Sequence, residues 1–509
     1  MELKTVNNTL KTLKKVYEKK SEYPIDCEFT LPDYCPDIER ILKCNIFAKV
    51  SNLSVLSDTA QAEINVEIKV LYISKDNKLF GYEMPQSLSK SINIGEIDKE
   101  TVSSYKIKTE YANCRAVNNR KIDVHGSVGL TLKLKVEDEK NYISDIDDKS
   151  VVLKNENRKV LEPVGFAKKQ INVADDIILP SSNGSISNII NYDVKSVFEE
   201  CKMISGKAII KLNVLIEMLY LSSDLRYETI RHNIPVNQVI DVPGAEENSI
   251  CSVKTDVSNV TLKVITDSEG EMRAINAEVK VDISVVAYNL SDLNIVTDGY
   301  CVKYESNIER QTVNCEQFVE NINENFNISE SIDVSSDIAS IIDFNCMPLT
   351  FNCKCENNNL VLSGDIAVFA FLEDENGSSK YYEKVLPFSK TISKISCAET
   401  MDCDLSLTVT DCSFNKNVSN RIDFKCEMNL NGIVTKPLEI EAISSFEVDE
   451  EKEKSYDDLP SLVAYFAQKG ESIWDIALKY NTSLDRIKET NNINDEILND
   501  SIMLLIPSI

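Results

Sequence analysis

Histidine is almost missing from this sequence: His125 and His232 are the only two among 509 residues. Proton relay through imidazole and metal centres built on several histidines therefore have little to draw on. Glycine is also scarce, at 14 residues, and none falls into a Gly-x-x-x-x-Gly-Lys-Ser/Thr or Gly-x-Gly-x-x-Gly pattern. Phosphate-cradling loops, and with them nucleotide cofactors, are not expected, and neither is any other cofactor. Basic residues are outnumbered, 55 Lys and Arg against 82 Asp and Glu, for a net charge of -27. Such a surface repels nucleic-acid phosphates and anionic headgroups. No apolar run reaches the 18 residues that a membrane-spanning helix needs. Met1 to Lys20 carries six lysines but no apolar core of signal-peptide length, so the chain is expected to stay where it is made.

The composition that remains is ordinary for a folded protein, with 43% hydrophobic and 27% charged residues. The length predicts about three or four domains. Fifteen scattered cysteines in a chain without an export signal read as reduced thiols. Cys353-Lys354-Cys355 is the closest pair, and with no second pair or histidine beside it no metal site is expected.

One unit recurs three times. An Ile-x-x-apolar-apolar spacing appears at Ile38, Ile41 and Leu42, at Ile186, Ile189 and Ile190, and at Ile338, Ile341 and Ile342. It predicts a short amphipathic helical turn in each copy. A long alternating segment follows. Copy one has Ala62, Ile64, Val66, Ile68, Val70 and Tyr72 on one face, and copy two has Ile210 through Tyr220. Copy three is less cleanly alternating, and its apolar positions run from Val361 through Ala367 and Phe369 to Phe371. A second alternating segment closes each copy, led by Ile122, Ile275 and Ile422. Period-two alternation of this length predicts antiparallel strands with one packed face and one wet face. The expected fold class is mainly β: three repeated β-rich sandwich or open-barrel domains and then a small α+β domain. The expected divisions are a lysine-bearing segment at 1–24, β domains at 25–150, 170–292 and 320–440, an acidic linker at 441–459, and the small domain at 460–509.

The small domain reads as β-α-α-β. Leu462 to Ala467 and Met503 to Pro507 are the strands, and Ser472 with Asp475 is a helix-capping pattern. Ile473, Ile476, Ala477 and Tyr480 line one helical face. Trp474, the only tryptophan, falls on a second stripe with Leu478, and is expected to anchor a protein partner.

The run Tyr465-Phe466-Ala467-Gln468-Lys469-Gly470-Glu471-Ser472-Ile473-Trp474-Asp475-Ile476-Ala477, with Tyr480, Asn481, Thr482, Asn491 and Leu504 to Pro507, resembles a LysM module. That resemblance implies two alternatives. One is a protein-binding face, for which Leu462, Tyr465, Lys469, Trp474 and Leu478 are the candidates. The other is binding of N-acetylglucosamine glycans, such as peptidoglycan, through loops holding Gly470, Glu471, Ser472, Ser501 and Ile502. Here the usual Gly-Asp-Thr reads Gly470-Glu471-Ser472, and the usual Gly-Gln before the last strand reads Ser501-Ile502. Both changes count against sugar.

Leu31-Pro32-Asp33-Tyr34-Cys35-Pro36-Asp37-Ile38, the triplicated β units and the LysM tail together resemble the SipL family of clostridial spore-coat morphogenetic proteins. Their repeated domain is called SPOCS. The resemblance implies a non-enzymatic role in the mother cell, at the forespore surface. It also implies binding of the coat scaffold ATPase, SpoIVA, through the LysM domain. Other coat proteins are further expected partners.

No catalytic residues are expected. His125 beside Asp123 on a strand's polar face reads as a solvated pair, and Cys35 between two prolines as part of a rigid turn.

Overall fold

A computed structural model describes residues 4–334, 338–393, 400–417, 420–455 and 460–507. The first unit contains six strands: β1 (Thr5–Thr30), β2 (Ile38–Val55), β3 (Thr59–Ser74), β4 (Leu79–Asn93), β5 (Thr101–Ala116) and β6 (Lys121–Ile146). They form two antiparallel sheets, β1-β6-β5 and β2-β3-β4. The second unit repeats the plan. Its strands are β7 (Val151–Ile178), β8 (Ile186–Ile204), β9 (Lys207–Ser222), β10 (Tyr227–Asp241), β11 (Ile250–Ile265) and β12 (Ala274–Cys301). So does the third, with β13 (Tyr304–Asp333), β14 (Ser340–Glu356), β15 (Asn359–Glu373), β16 (Ser379–Ile392), β17 (Asp402–Lys416) and β18 (Arg421–Glu453).

Each unit has its own core, filled by the alternating residues of its middle strands. In unit one Ala60 through Tyr72 of β3 face Ile122 through Leu134 of β6. Unit two does the same with Ala208 through Tyr220 and Ile275 through Ala287. In unit three the inward set of β15 is Leu360, Leu362, Ile366, Val368, Ala370 and Leu372. This corrects the face read from Val361, Ala367, Phe369 and Phe371. That strand is apolar on both faces, so its pattern left the register open by one residue.

The helical turns expected at Ile38, Ile186 and Ile338 are also corrected. The first two residues open β2 and β8, and Ile341 and Ile342 lie in β14. Bulges explain the misreading. Register shifts fall between Ile38 and Arg40 and between Ile41 and Lys43, and they recur at Ile186/Asn188, Ile189/Asn191 and Ile341/Asp343. Each bulge adds one residue and turns a period of two into three, which imitates helical spacing.

Two expected boundaries move. Residues 5–24 are not a separate segment, because β1 pairs with β6 along its whole length. The expected linker begins inside a strand: residues 441–453 are the end of β18, paired with β13. Residues 1–3 of the expected segment and 456–459 of the expected linker lie outside the described residues.

The long outer halves of the strands join the units. Ile143, Val296 and Ile443 occupy equivalent positions on β6, β12 and β18 and pack together with Ile146 and Phe446. Next to them Tyr142, Ile295 and Ala442 form a second three-way cluster with Leu10, Val160 and Val313. Leu71, Leu219 and Phe371 form another on the middle strands. A buried aliphatic side chain stabilises by about 1.5–3 kcal/mol, so these shared clusters bind the three units into one body. Ion pairs frame the contacts. Lys254 reaches Asp404 at 2.6 Å, Arg231 reaches Asp411 at 2.6 Å and Lys135 reaches Glu316 at 3.1 Å.

The tail is β19 (Leu462–Ala467), α1 (Ile473–Lys479), α2 (Leu484–Asn491) and β20 (Ile502–Pro507), with β19 antiparallel to β20. It is the small α+β module that the sequence predicts.

Candidate protein-binding site

Tight local bonding fixes the tail. Ser472 Oγ accepts from the Trp474 backbone N–H at 3.2 Å and caps α1. Asn491 fastens α2 to β20, because its Nδ2 donates to the Leu505 carbonyl and its Oδ1 accepts from the Leu505 N–H, both at 2.7 Å. Ala467, Ile473, Ile476, Ala477, Ile487, Leu504 and Ile506 make the core.

Trp474 is placed differently from the expectation. It is 6% exposed, and the chain's own second unit covers it. The Tyr300 ring meets it edge-on at a centroid distance of 5.4 Å, and Val302 and Val152 complete the contact. Its indole N–H donates to Asp298 at 3.1 Å. Tyr300 Oη donates to the Thr482 carbonyl at 2.6 Å, and Asn481 Nδ2 to the Val302 carbonyl at 2.8 Å. Burial, with Asp298 nearby, pushes the Tyr300 phenol well above its ordinary pKa and keeps it a donor. The second apolar stripe of α1 is real, but its tryptophan seats the tail on its own body.

The free apolar surface lies on the other side. Leu462, Ala464 and Phe466 of β19 stand opposite Pro507, Leu505 and Met503 of β20 on the face turned away from the core. Phe466 is 69% exposed, Met503 64% and Leu462 47%. A strand that is apolar on both faces needs cover on both. Phe466 and Met503 are absent from the sequence-based candidates. The signal was there: Leu462, Ala464 and Phe466 alternate with Val463, Tyr465 and Ala467, all apolar. Of the other candidates, Leu478 is exposed on α1, and Tyr465 is half-buried against Tyr480. The Lys469 side chain is in solvent.

The loops of the sugar alternative brace each other. The Lys469 N–H donates to Ser501 Oγ at 3.1 Å, and the Gly470 N–H to the Leu498 carbonyl at 2.8 Å. The Leu498 N–H donates to the Glu471 carbonyl at 3.0 Å. The Glu471 carboxylate accepts from Tyr465 Oη at 3.3 Å and from the Gln468 N–H at 3.2 Å. Ile502 pairs with Ala467 in the sheet. Ser501 Oγ, the Glu471 carboxylate and the backbone of both loops are thus already partnered inside the module.

Elsewhere the chemistry is structural. Arg120 gathers the Leu-Pro-Asp-Tyr-Cys-Pro-Asp motif. Its guanidinium donates to the carbonyls of Leu31, Pro32 and Cys35 and to the Asp37 carboxylate at 2.6–3.2 Å. The Cys35 thiol is buried and pushed up by burial, which is inert chemistry. His125 is exposed between Asp26 at 2.7 Å and Asp123 at 3.2 Å. Asp26 first, and then Asp123, raise its pKa. The described cysteines are free thiols except Cys355, which is disulfide-bonded and so corrects the reading of all fifteen as reduced.

Residues 185–265 match the family described as SipL, SPOCS domain, and residues 465–499 match the LysM domain. The chain carries a SipL-type SPOCS domain and a LysM domain. No curated protein and no solved structure matches it. SPOCS and LysM are non-catalytic domain families, and together they fit a sporulation protein related to the spore coat. A LysM domain points to protein or glycan binding. Among the described residues no helix is long and apolar enough to cross a membrane.

Proposed function

We propose that this chain is a non-enzymatic scaffold of the spore coat. It acts in the mother cell at the forespore surface, where it promotes encasement of the forespore by the coat. Its LysM tail binds the coat scaffold ATPase, SpoIVA, and its β body offers further surface to other coat proteins. The observation that carries this reading is the outward face of the tail, where Phe466, Met503 and Leu462 present contiguous apolar surface. Exposed aromatic and aliphatic residues grouped this way are the usual core of a protein interface. The loops that a glycan would use are already braced by Ser501 and Glu471.

The test is a titration of the full chain against the scaffold ATPase and, in parallel, against a chitin-type oligosaccharide. Binding of the ATPase by wild type, with at least a tenfold loss in Phe466→Ser, is the expected result. Binding of the sugar alone would transfer the function to peptidoglycan anchoring.

A further inference from the structure

Three cysteines meet inside the third unit. Cys412 of β17 and Cys426 of β18 are cross-strand partners, and Cys346 reaches them from β14 in the facing sheet. Their three sulfurs lie within 4.8 Å of one another, and Cys346 Sγ is 3.0 Å from Cys412 Sγ. The side chains are 1%, 1% and 0% exposed.

The other two units are an internal control. Cys346 stands opposite Val368 in its sheet, as Ile46 stands opposite Ile68 and Val194 opposite Ile216. Cys412 and Cys426 pair as Ala112 and Gly126 do in unit one, and as Val260 and Val279 do in unit two. The equivalent triplets are therefore Ile-Ala-Gly, Val-Val-Val and Cys-Cys-Cys. Packing alone is met by apolar side chains in the first two units. In unit one Ile46 fills the space above Gly126, where an added Cβ would lie 2.3 Å from its Cδ1. Only the third unit has exchanged all three positions, and for one ligand type.

We propose that Cys346, Cys412 and Cys426 hold one Cu(I) ion. The donor set is sulfur only. Thiolates select soft ions, whereas structural zinc takes four ligands, and the metal-ligating group here has three members. Sulfurs about 2.3 Å from a shared ion, the zinc–thiolate distance, lie roughly 4 Å apart. All three sulfurs fall within 4.8 Å. Cys346 and Cys412, now 3.0 Å apart, must separate by about 1 Å on binding. Binding exchanges thiol protons for the ion: each ligating sulfur releases its proton to solvent, and no electron moves. A cleft between units two and three, lined by Arg231, Asp343, Asn345 and Phe414, lies beside the cluster without reaching its buried sulfurs. There Arg231 donates to the Cys412 carbonyl at 2.7 Å.

The test loads the reduced full chain anaerobically with chelator-buffered Cu(I) and, in parallel, with Zn(II), followed by desalting and metal analysis. The comparison is the variant Cys346→Val, Cys412→Val, Cys426→Val, which installs the triplet that unit two already folds around. The single variant Cys426→Val serves if the triple one does not fold. Wild type is expected to retain one more equivalent of copper than either variant, and to show a correspondingly stronger sulfur-to-copper absorption. Equal copper in wild type and variant would overturn the proposal. So would an extra equivalent of zinc alone, or a Cys346–Cys412 disulfide in peptide maps of chain that fails to load.

Discussion

Two aromatic residues of the tail, eight positions apart, have opposite fates. Trp474 is 6% exposed and Phe466 is 69% exposed. By residue type Trp474 is the natural candidate for a partner anchor. Its one-residue offset from the helix core is satisfied within the chain by Tyr300, Val302 and Asp298. Phe466 sits on a two-stranded sheet whose outer face the body leaves uncovered. Residue type identifies a side chain that wants cover. Only the arrangement of the whole chain says whether the cover comes from inside.

Variants can break or sharpen that contrast. The largest effect is expected from Trp474→Ala. Truncating a buried tryptophan costs about 3–5 kcal/mol, and here most of that loss falls on the seat between tail and second unit. The tail should undock while the β body keeps its melting temperature. Hydrogen exchange would show faster exchange around Tyr300 and residues 481–484, and an unchanged pattern there would refute the seat. Tyr300→Phe keeps the ring against Trp474 but removes the hydroxyl bond to Thr482. A loss of about 1 kcal/mol is expected, visible as moderately faster hydrogen exchange at residues 481–484. The smallest effect on stability belongs to Phe466→Ser, within about 0.5 kcal/mol in urea denaturation, even though this variant should lose partner binding. If Phe466→Ser destabilised the chain as much as Trp474→Ala, the outer face would be covered by the chain itself and the contrast would collapse.

Much of the fold is legible along the chain, and the failures have physical causes. Ile122 through Leu134 and Ala60 through Tyr72 alternate cleanly because each strand has one core to face. The opening of β2 reads as a helix because paired bulges rewrite its period. The end of β18 reads as a linker because Glu447, Asp449, Glu450 and Glu451 crowd it with charge. It is nevertheless a strand, held by β13 with Ile308 opposite Phe446. The joining of the units was not legible. Ile143, Val296 and Ile443 lie past the point where each alternation breaks down, and three sequence-distant residues meet only after folding. In the tail, secondary structure and capping were readable, whereas the choice between inner and outer aromatic residue depended on a body more than 170 residues away.

The position of that seat has a mechanical consequence. The tail follows β18 of the third unit, yet it rests on Asp298, Tyr300 and Val302 at the end of β12 in the second. It is a clasp across two units. Tension applied at Phe466 by a bound partner would divide between the peptide link to unit three and the Trp474 seat on unit two. A pull on the tail thus loads both units, and the weaker of the two attachments sets the force at which the tail peels away.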